Sequence, residues 1–213
     1  MPYNEEDTKL HLITPALVSA GWTGPRITME YGITAGQIVL QGDDHRHLPP
    51  KKADYLLRYA ESLPIAVLEA KTEEHTPGAG LQQAQAYAEM LGLEFAYSSN
   101  GHGIEEWDFT TNTQRSLGMD EMPTPEDLWQ RLCAYRALQV QRAANPLLHP
   151  YWHDPAGQKR IRYYQEVAVN RVIEGILKGQ KRILINLATG TGKTFIAFQL
   201  AWKLIKSGYF GNN

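Results

Sequence analysis

"KKADYLLRYAESLPIAVLEAKT", Lys51 to Thr72, holds two apolar runs on either side of Glu61-Ser62. If the chain folds back at that pair, Asp54 falls opposite Glu69 across an antiparallel ladder. Side chains alternate faces along a strand, so Glu69 and Lys71 share one face and Ala70 takes the other. Two carboxylates and a lysine then converge at the open end of the hairpin. Like charges facing each other destabilise a sheet unless a cation sits between them. Hard oxygen ligands suit magnesium or manganese, which makes Asp54 and Glu69 the candidate metal ligands. Lys71 is placed to orient a water or to stabilise developing phosphate charge. An E-x-K triplet alone is weak evidence; the register of Asp54 and the buried lead-in "IAVL" strengthen it.

Working outward, residues 5–20 have the period of a helix, with Leu10, Ile13, Leu17 and Ala20 on one face and an acidic first turn of Glu5, Glu6 and Asp7. Strands are expected at 27–31, 37–40, 53–59 and 64–70, a helix over 79–92 closed by Gly92, and strands in "EFAYSSN" and "GIEEWDF" around a turn at Asn100-Gly101. "MPTPEDLW" marks a boundary, with Thr124 capping a helix over 126–143. "NPLLHPYWHDPAG" is a proline-rich connector. Beyond it come a basic helix over 160–178, an apolar strand over 182–187 and a helix over 193–206. His45, His47, His75 and His102 are expected in turns, without zinc-ligand spacing.

"LATGTGKT", Leu187 to Thr194, fits the phosphate-loop pattern between a strand and a helix, with Leu187 standing where glycine is usual. The backbone of Gly190, Thr191 and Gly192 is suited to cradle phosphates, Lys193 to reach the terminal ones, and the Thr194 hydroxyl to ligate magnesium. The implied cofactor is ATP. A strand as apolar on both faces as "RILINL" needs parallel neighbours, and none follows within the chain. The chain is therefore expected to be the front of a longer motor.

The totals agree with a soluble globular protein of 213 residues: 43% hydrophobic, 21% charged, one cysteine, no signal peptide and no apolar run of membrane-spanning length. A cytoplasmic location without membrane contact is expected. The net charge of −2 hides a split. Residues 1–130 carry 8 Lys/Arg against 20 Asp/Glu, and residues 131–213 carry 13 against 3. Only the second half is suited to track a polyanion unaided.

Several of these motifs carry family resemblances. Ala53-Asp54 with Glu69-Ala70-Lys71 resembles the PD-(D/E)xK nuclease signature, Ala53 replacing the proline. Gln83 and Tyr87 resemble the Q-x-x-x-Y motif of nucleases joined to helicases. An acidic residue of the first helix completes the site in that fold, and either Glu5 or Glu6 fits: Glu6 by helical phase, Glu5 by spacing to Thr8-Lys9. "RYYQ" ending at Gln165, together with "ATGTGKT", resembles superfamily 2 helicases, in which an upstream glutamine reads the adenine edge. In their order, "AGW", "ADYLL", "IAVLEAK", "GLQQAQAYA", "FAYSSNG", "RYYQ" and "ATGTGKT" resemble the R subunit of type I restriction–modification enzymes. The resemblance implies an α/β protein with a nuclease domain over 1–120, a helical linker over 121–158 and the start of a RecA-like helicase domain over 159–213. It further implies double-stranded DNA as substrate, ATP-driven translocation, cleavage away from the recognition site, and methyltransferase (M) and specificity (S) subunits as partners. Two other classes stay open: a stand-alone nuclease–helicase of DNA repair or phage defence, and a non-enzymatic reading in which the first domain is a structural or DNA-binding relic.

Overall fold

The computed structural model describes residues 2–33, 38–41, 44–47, 51–138, 145–157 and 159–211, with backbone alone for 38–41 and 44–47. The chain opens with α1 (Glu5–Thr8), a π-helical turn (Lys9–Ile13) and α2 (Thr14–Ser19), which run on as one helix. Asn4 caps it, its side-chain oxygen accepting the Asp7 N–H at 2.8 Å. Pro15 explains the wide turn: a proline inside a helix donates no N–H and crowds the preceding turn, so the ladder opens locally. Gly21, at φ 91°, ends the helix and turns Trp22 into the core, where its indole N–H donates to the Pro123 carbonyl at 2.9 Å.

The strands are β1 (Ile27–Gly32), β2 (Ile38–Gln41), β3 (Asp44–His47), β4 (Lys52–Ala60), β5 (Leu63–Ala70), then after α3 (Leu81–Leu91) β6 (Phe95–Ser99), β7 (Ile104–Asp108) and β8 (Thr113–Leu117). Six of them make one mixed sheet in the order β1-β4-β5-β6-β7-β8, while β2 and β3 form a separate antiparallel pair. The turn between β4 and β5 is Glu61-Ser62. β5 and β6 are parallel, with α3 as the crossover; β1–β4, β6–β7 and β7–β8 are antiparallel. Ile65, Ala66, Val67, Leu68, Phe95, Ala96 and Tyr97 are all buried, as the middle of a sheet covered on both faces requires. Burying each large apolar side chain of such a strand contributes roughly 1.5–3 kcal/mol. β3 takes in His45 and His47, which the sequence reading put in turns. β8 was also missed, because the polar "TQRSL" of an edge strand has no apolar face to reveal it.

After the sheet come α4 (Pro125–Arg136), α5 (Tyr163–Leu177) and α6 (Lys193–Lys206). Thr124 caps α4, its hydroxyl accepting the Asp127 N–H while the Asp127 carboxylate takes the Thr124 N–H. The expected helix over 126–143 stops at Arg136, where Ala137 adopts φ 49°; residues 139–144 lie outside the described ones. The expected strand over 182–187 is not formed. Residues 182–188 take no sheet hydrogen bonds among the described residues, and Leu184 is 94% exposed. A single apolar strand has no ladder to join without neighbours, so apolarity alone does not make one.

The chain divides into two compact units, Met1–Tyr59 with Pro64–Trp129, and Ala60–Leu63 with Gln130–Asn213. In the second unit Leu138, Leu147, Tyr151, Val169, Ile173 and Ile196 form the core. No described helix is long and apolar enough to cross a membrane.

Candidate active site and nucleotide cleft

In the first unit β4 brings Asp54 and β5 brings Glu69 to the same end of the sheet. The two strands interlock here. The Asp54 N–H donates to Glu69 Oε1 at 3.2 Å, and Asp54 Oδ2 accepts the Ala70 N–H at 2.8 Å. The α3 helix supplies Gln83, whose amide donates to Glu69 Oε2 at 2.6 Å and approaches the Tyr87 hydroxyl at 3.3 Å. Residues four apart on a helix share a face, which puts Gln83 and Tyr87 on the same side of α3. Lys71 directly follows β5, its backbone N–H bonded to the Ser99 carbonyl at 2.9 Å and its Nζ 3.9 Å from Glu5. A Cβ on Gly80 would lie 2.9 Å from Ser98 Oγ, 3.0 Å from Lys71 Cε and 3.1 Å from Glu69 Cβ, so glycine lets the start of α3 approach the cluster.

Glu69 is 1% exposed, and burial, reinforced by the nearby Asp54 carboxylate, pushes its carboxyl up to about 8. Such a pair is stabilised by a cation. Among the described residues there is no group of three His, Cys, Asp or Glu side chains disposed as a complete metal shell. Two carboxylates are nonetheless what magnesium commonly takes from a protein, with water and substrate phosphate filling the remainder.

The first helix separates its two glutamates. Glu5 faces Lys71, whereas Glu6 is 2.6 Å from Lys9 Nζ. Lys9 was not singled out from sequence, yet its side chain is only 2% exposed and its Nζ also donates to Glu30 at 2.8 Å and Asp54 at 3.2 Å. Burial opposes its charge, but Glu30, Glu6 and Asp54 together hold its pKa well above the usual lysine range. Thr8-Lys9 and the acidic Glu30 were visible as letters. Nothing local to either marks a lysine that buries its head.

In the second unit the phosphate loop leads into α6. Gly190 and Gly192 take φ 77° and 83°, a left-handed conformation that favours glycine, and Gly192 caps α6 so that Lys193 and Thr194 begin it. Gln165 lies against this loop. Its Nε2 donates to the Thr191 carbonyl at 2.8 Å and its Oε1 accepts the Arg162 N–H at 3.0 Å. A Cβ on Gly192 would come within 2.6 Å of that amide. Beside the loop is a cleft of about 930 Å³, lined by Trp152, Phe195 and Phe198 with Arg160, Arg162 and Thr194. That size and mixture suit a small organic anion with an apolar body.

The geometry thus defines an α/β protein with a carboxylate cluster on a mixed sheet and, in a second unit, a glycine-rich phosphate-type loop. Residues 158–212 match the family described as "Type III restriction enzyme, res subunit". The chain is 35% identical over 208 residues to the EcoAI type I restriction enzyme endonuclease subunit of Escherichia coli, a match covering 95% of this chain and 25% of that protein. It is 34% identical over 130 residues to the EcoKI endonuclease subunit of Escherichia coli strain K12, covering 55% and 10%. A fragment structure of an HsdR subunit of a type I restriction enzyme from Vibrio vulnificus YJ016 superposes with a TM-score of 0.86 at 44% identity, over all of this chain and 40% of that one. The chain is a homologue of the endonuclease (HsdR) subunits of type I restriction enzymes. It spans about a quarter of the length of the EcoAI subunit.

Proposed function

We propose that the chain is the nuclease portion, with the opening of the ATP-driven motor, of a type I restriction enzyme that cuts double-stranded DNA away from its recognition site. In this reading residues 1–120 are a PD-(D/E)xK nuclease domain, 121–158 a helical linker and 159–213 the first part of a RecA-like superfamily 2 helicase domain. Methyltransferase and specificity subunits are the assembly partners. The observation that carries the reading is the interlock of the two strands, the Asp54 N–H on Glu69 and the Ala70 N–H on Asp54, with Gln83 locking Glu69 from α3.

Asp54 and Glu69 would hold magnesium or manganese, which supplies Lewis-acid polarisation of the scissile phosphate. Gln83 fixes the orientation of Glu69, and Tyr87 steadies Gln83. The Lys71 ammonium, beside Glu5, is placed to offset charge developing on the phosphate and to orient an attacking water. Glu5 is the first-helix acid that joins this side of the site, and Glu6 serves Lys9 instead. In the second unit the N–H groups of residues 190–194 would hold ATP phosphates, Lys193 would neutralise them, and the Thr194 hydroxyl would take magnesium. Gln165 fixes the loop through Thr191 and retains the capacity to meet an adenine edge.

In the full-length enzyme Glu69→Ala is expected to abolish strand cleavage with ATPase activity near wild type. Lys193→Ala is expected to remove ATP hydrolysis and, with it, remote cleavage. Wild-type cutting by the Glu69→Ala enzyme would remove the hairpin as the active site.

A further inference from the structure

We propose that the Lys9 ammonium is a resident cation of the carboxylate cluster, standing where a second divalent ion would otherwise bind, so that the site takes one metal ion and not two. The inference rests on the reading of Asp54 and Glu69 as metal ligands.

Three carboxylate oxygens converge on Lys9 Nζ: Glu6 at 2.6 Å, Glu30 at 2.8 Å and Asp54 at 3.2 Å. An ammonium has three N–H groups, and each has an anionic acceptor. These are hard oxygens of the kind that surround a divalent ion, and the third belongs to the same aspartate that would hold the catalytic metal. Asp54 divides its two oxygens accordingly, Oδ1 to Lys9 and Oδ2 to the Ala70 N–H.

The backbone departs from regular geometry on the sheet side of this contact. Glu30 lies within β1 at φ 51°, and pairing of Met29 with Tyr55 and Tyr31 with Ala53 sets it across from Asp54. A glutamate in the left-handed region within a strand is strained, and such strain persists only where surrounding contacts over-determine it. Here the contact is the ion pair with Lys9. A helix-to-sheet anchor could be built from any surface pair. Burying a lysine head among three acids, one of them a ligand candidate, makes sense if its charge is needed there.

The side chains of Glu6 and Glu30 are 75% and 48% exposed, so solvent ions can reach the position once the ammonium is gone. The test counts manganese ions bound by the nucleotide-free 213-residue chain, by calorimetry and electron paramagnetic resonance. Wild type is expected to bind one ion, Lys9→Arg one, and Lys9→Met two. If Lys9→Met does not melt cooperatively, Lys9→Gln, which is uncharged yet keeps two N–H donors for the three carboxylates, is expected to bind two. One ion in the folded Lys9→Met or Lys9→Gln variant, or two in wild type, overturns the inference. No ion in wild type overturns instead the reading of Asp54 and Glu69 on which it rests. A lysine that merely ties helix to sheet leaves the count at one in every variant.

Discussion

Glu69 pays for its position in the absence of metal. Its carboxyl, pushed up to about 8 by burial and by Asp54, keeps its proton in the folded state at pH values where the unfolded chain has lost it. Between about pH 4.5 and 8 the folded state therefore binds more protons, and this group makes stability fall as pH rises, by at most about 1.4 kcal/mol per pH unit. Lys203 acts in the opposite sense. Burial brings it down to about 7, against the pull of Glu166, so the unfolded chain binds the extra proton between about pH 7 and 10.5 and stability rises there. Thermal melts of the metal-free Glu69→Gln chain are expected to lose the lower slope and keep the upper one. An unchanged pH profile would mean Glu69 is ionised in the fold. The Asp54–Glu69 pairing was legible because a two-residue turn and strict alternation fix who faces whom. Lys9 was not, since lysines on helices ordinarily reach solvent and, apart from Glu6 one turn away, its partners come from β1 and β4, distant in sequence.

At the level of elements, α3 reaches the cluster through Gly80. An added methyl meets Ser98, Lys71 and Glu69 inside ordinary contact distance, so Gly80→Ala is expected to displace them by a few tenths of an ångström. Overpacking of this kind costs about 1–3 kcal/mol. If the proposed catalytic groups are displaced in this way, cleavage is expected to fall on the order of 10- to 100-fold. ATPase activity of the full-length enzyme should be unaffected, and equal losses in both activities would point to general unfolding. The segment 182–188 is the other instructive element. Its alternation-free apolar run resembles a buried strand, yet a strand is a relation between neighbours, and the described chain provides none. Amide hydrogen exchange is expected to find residues 183–187 nearly unprotected while 65–70 exchange slowest of all. Comparable protection in both segments would show that 183–187 is paired. The same logic explains β8, which exists through β7 and not through its own pattern.

Over the whole molecule, charge is divided along the chain. Residues 1–130, with 20 acidic and 8 basic side chains, carry the proposed cutting site but repel a phosphate backbone. In the second unit Lys159, Arg160, Arg162, Lys178, Lys181 and Arg182 are exposed, whereas Arg136 and Lys203 are buried. A cation must reach phosphates to release counterions, so the exposed set and not the total charge governs affinity for DNA. The chain is accordingly expected to bind duplex DNA weakly and with steep salt dependence. Each neutralised phosphate contact removes roughly 0.9 from the slope of log K against log salt. Replacing Lys159, Arg160, Lys181 and Arg182 with glutamine should therefore flatten that slope by up to about 3–4. Charge-neutralising changes at Glu73 and Glu74 in the first unit should instead strengthen binding slightly, by easing repulsion. Fluorescence anisotropy across a salt series reads both. If the four glutamines leave the slope intact, the DNA contact lies elsewhere, on the remaining exposed cations such as Arg162 and Lys178 or on the basic side chains of the first unit.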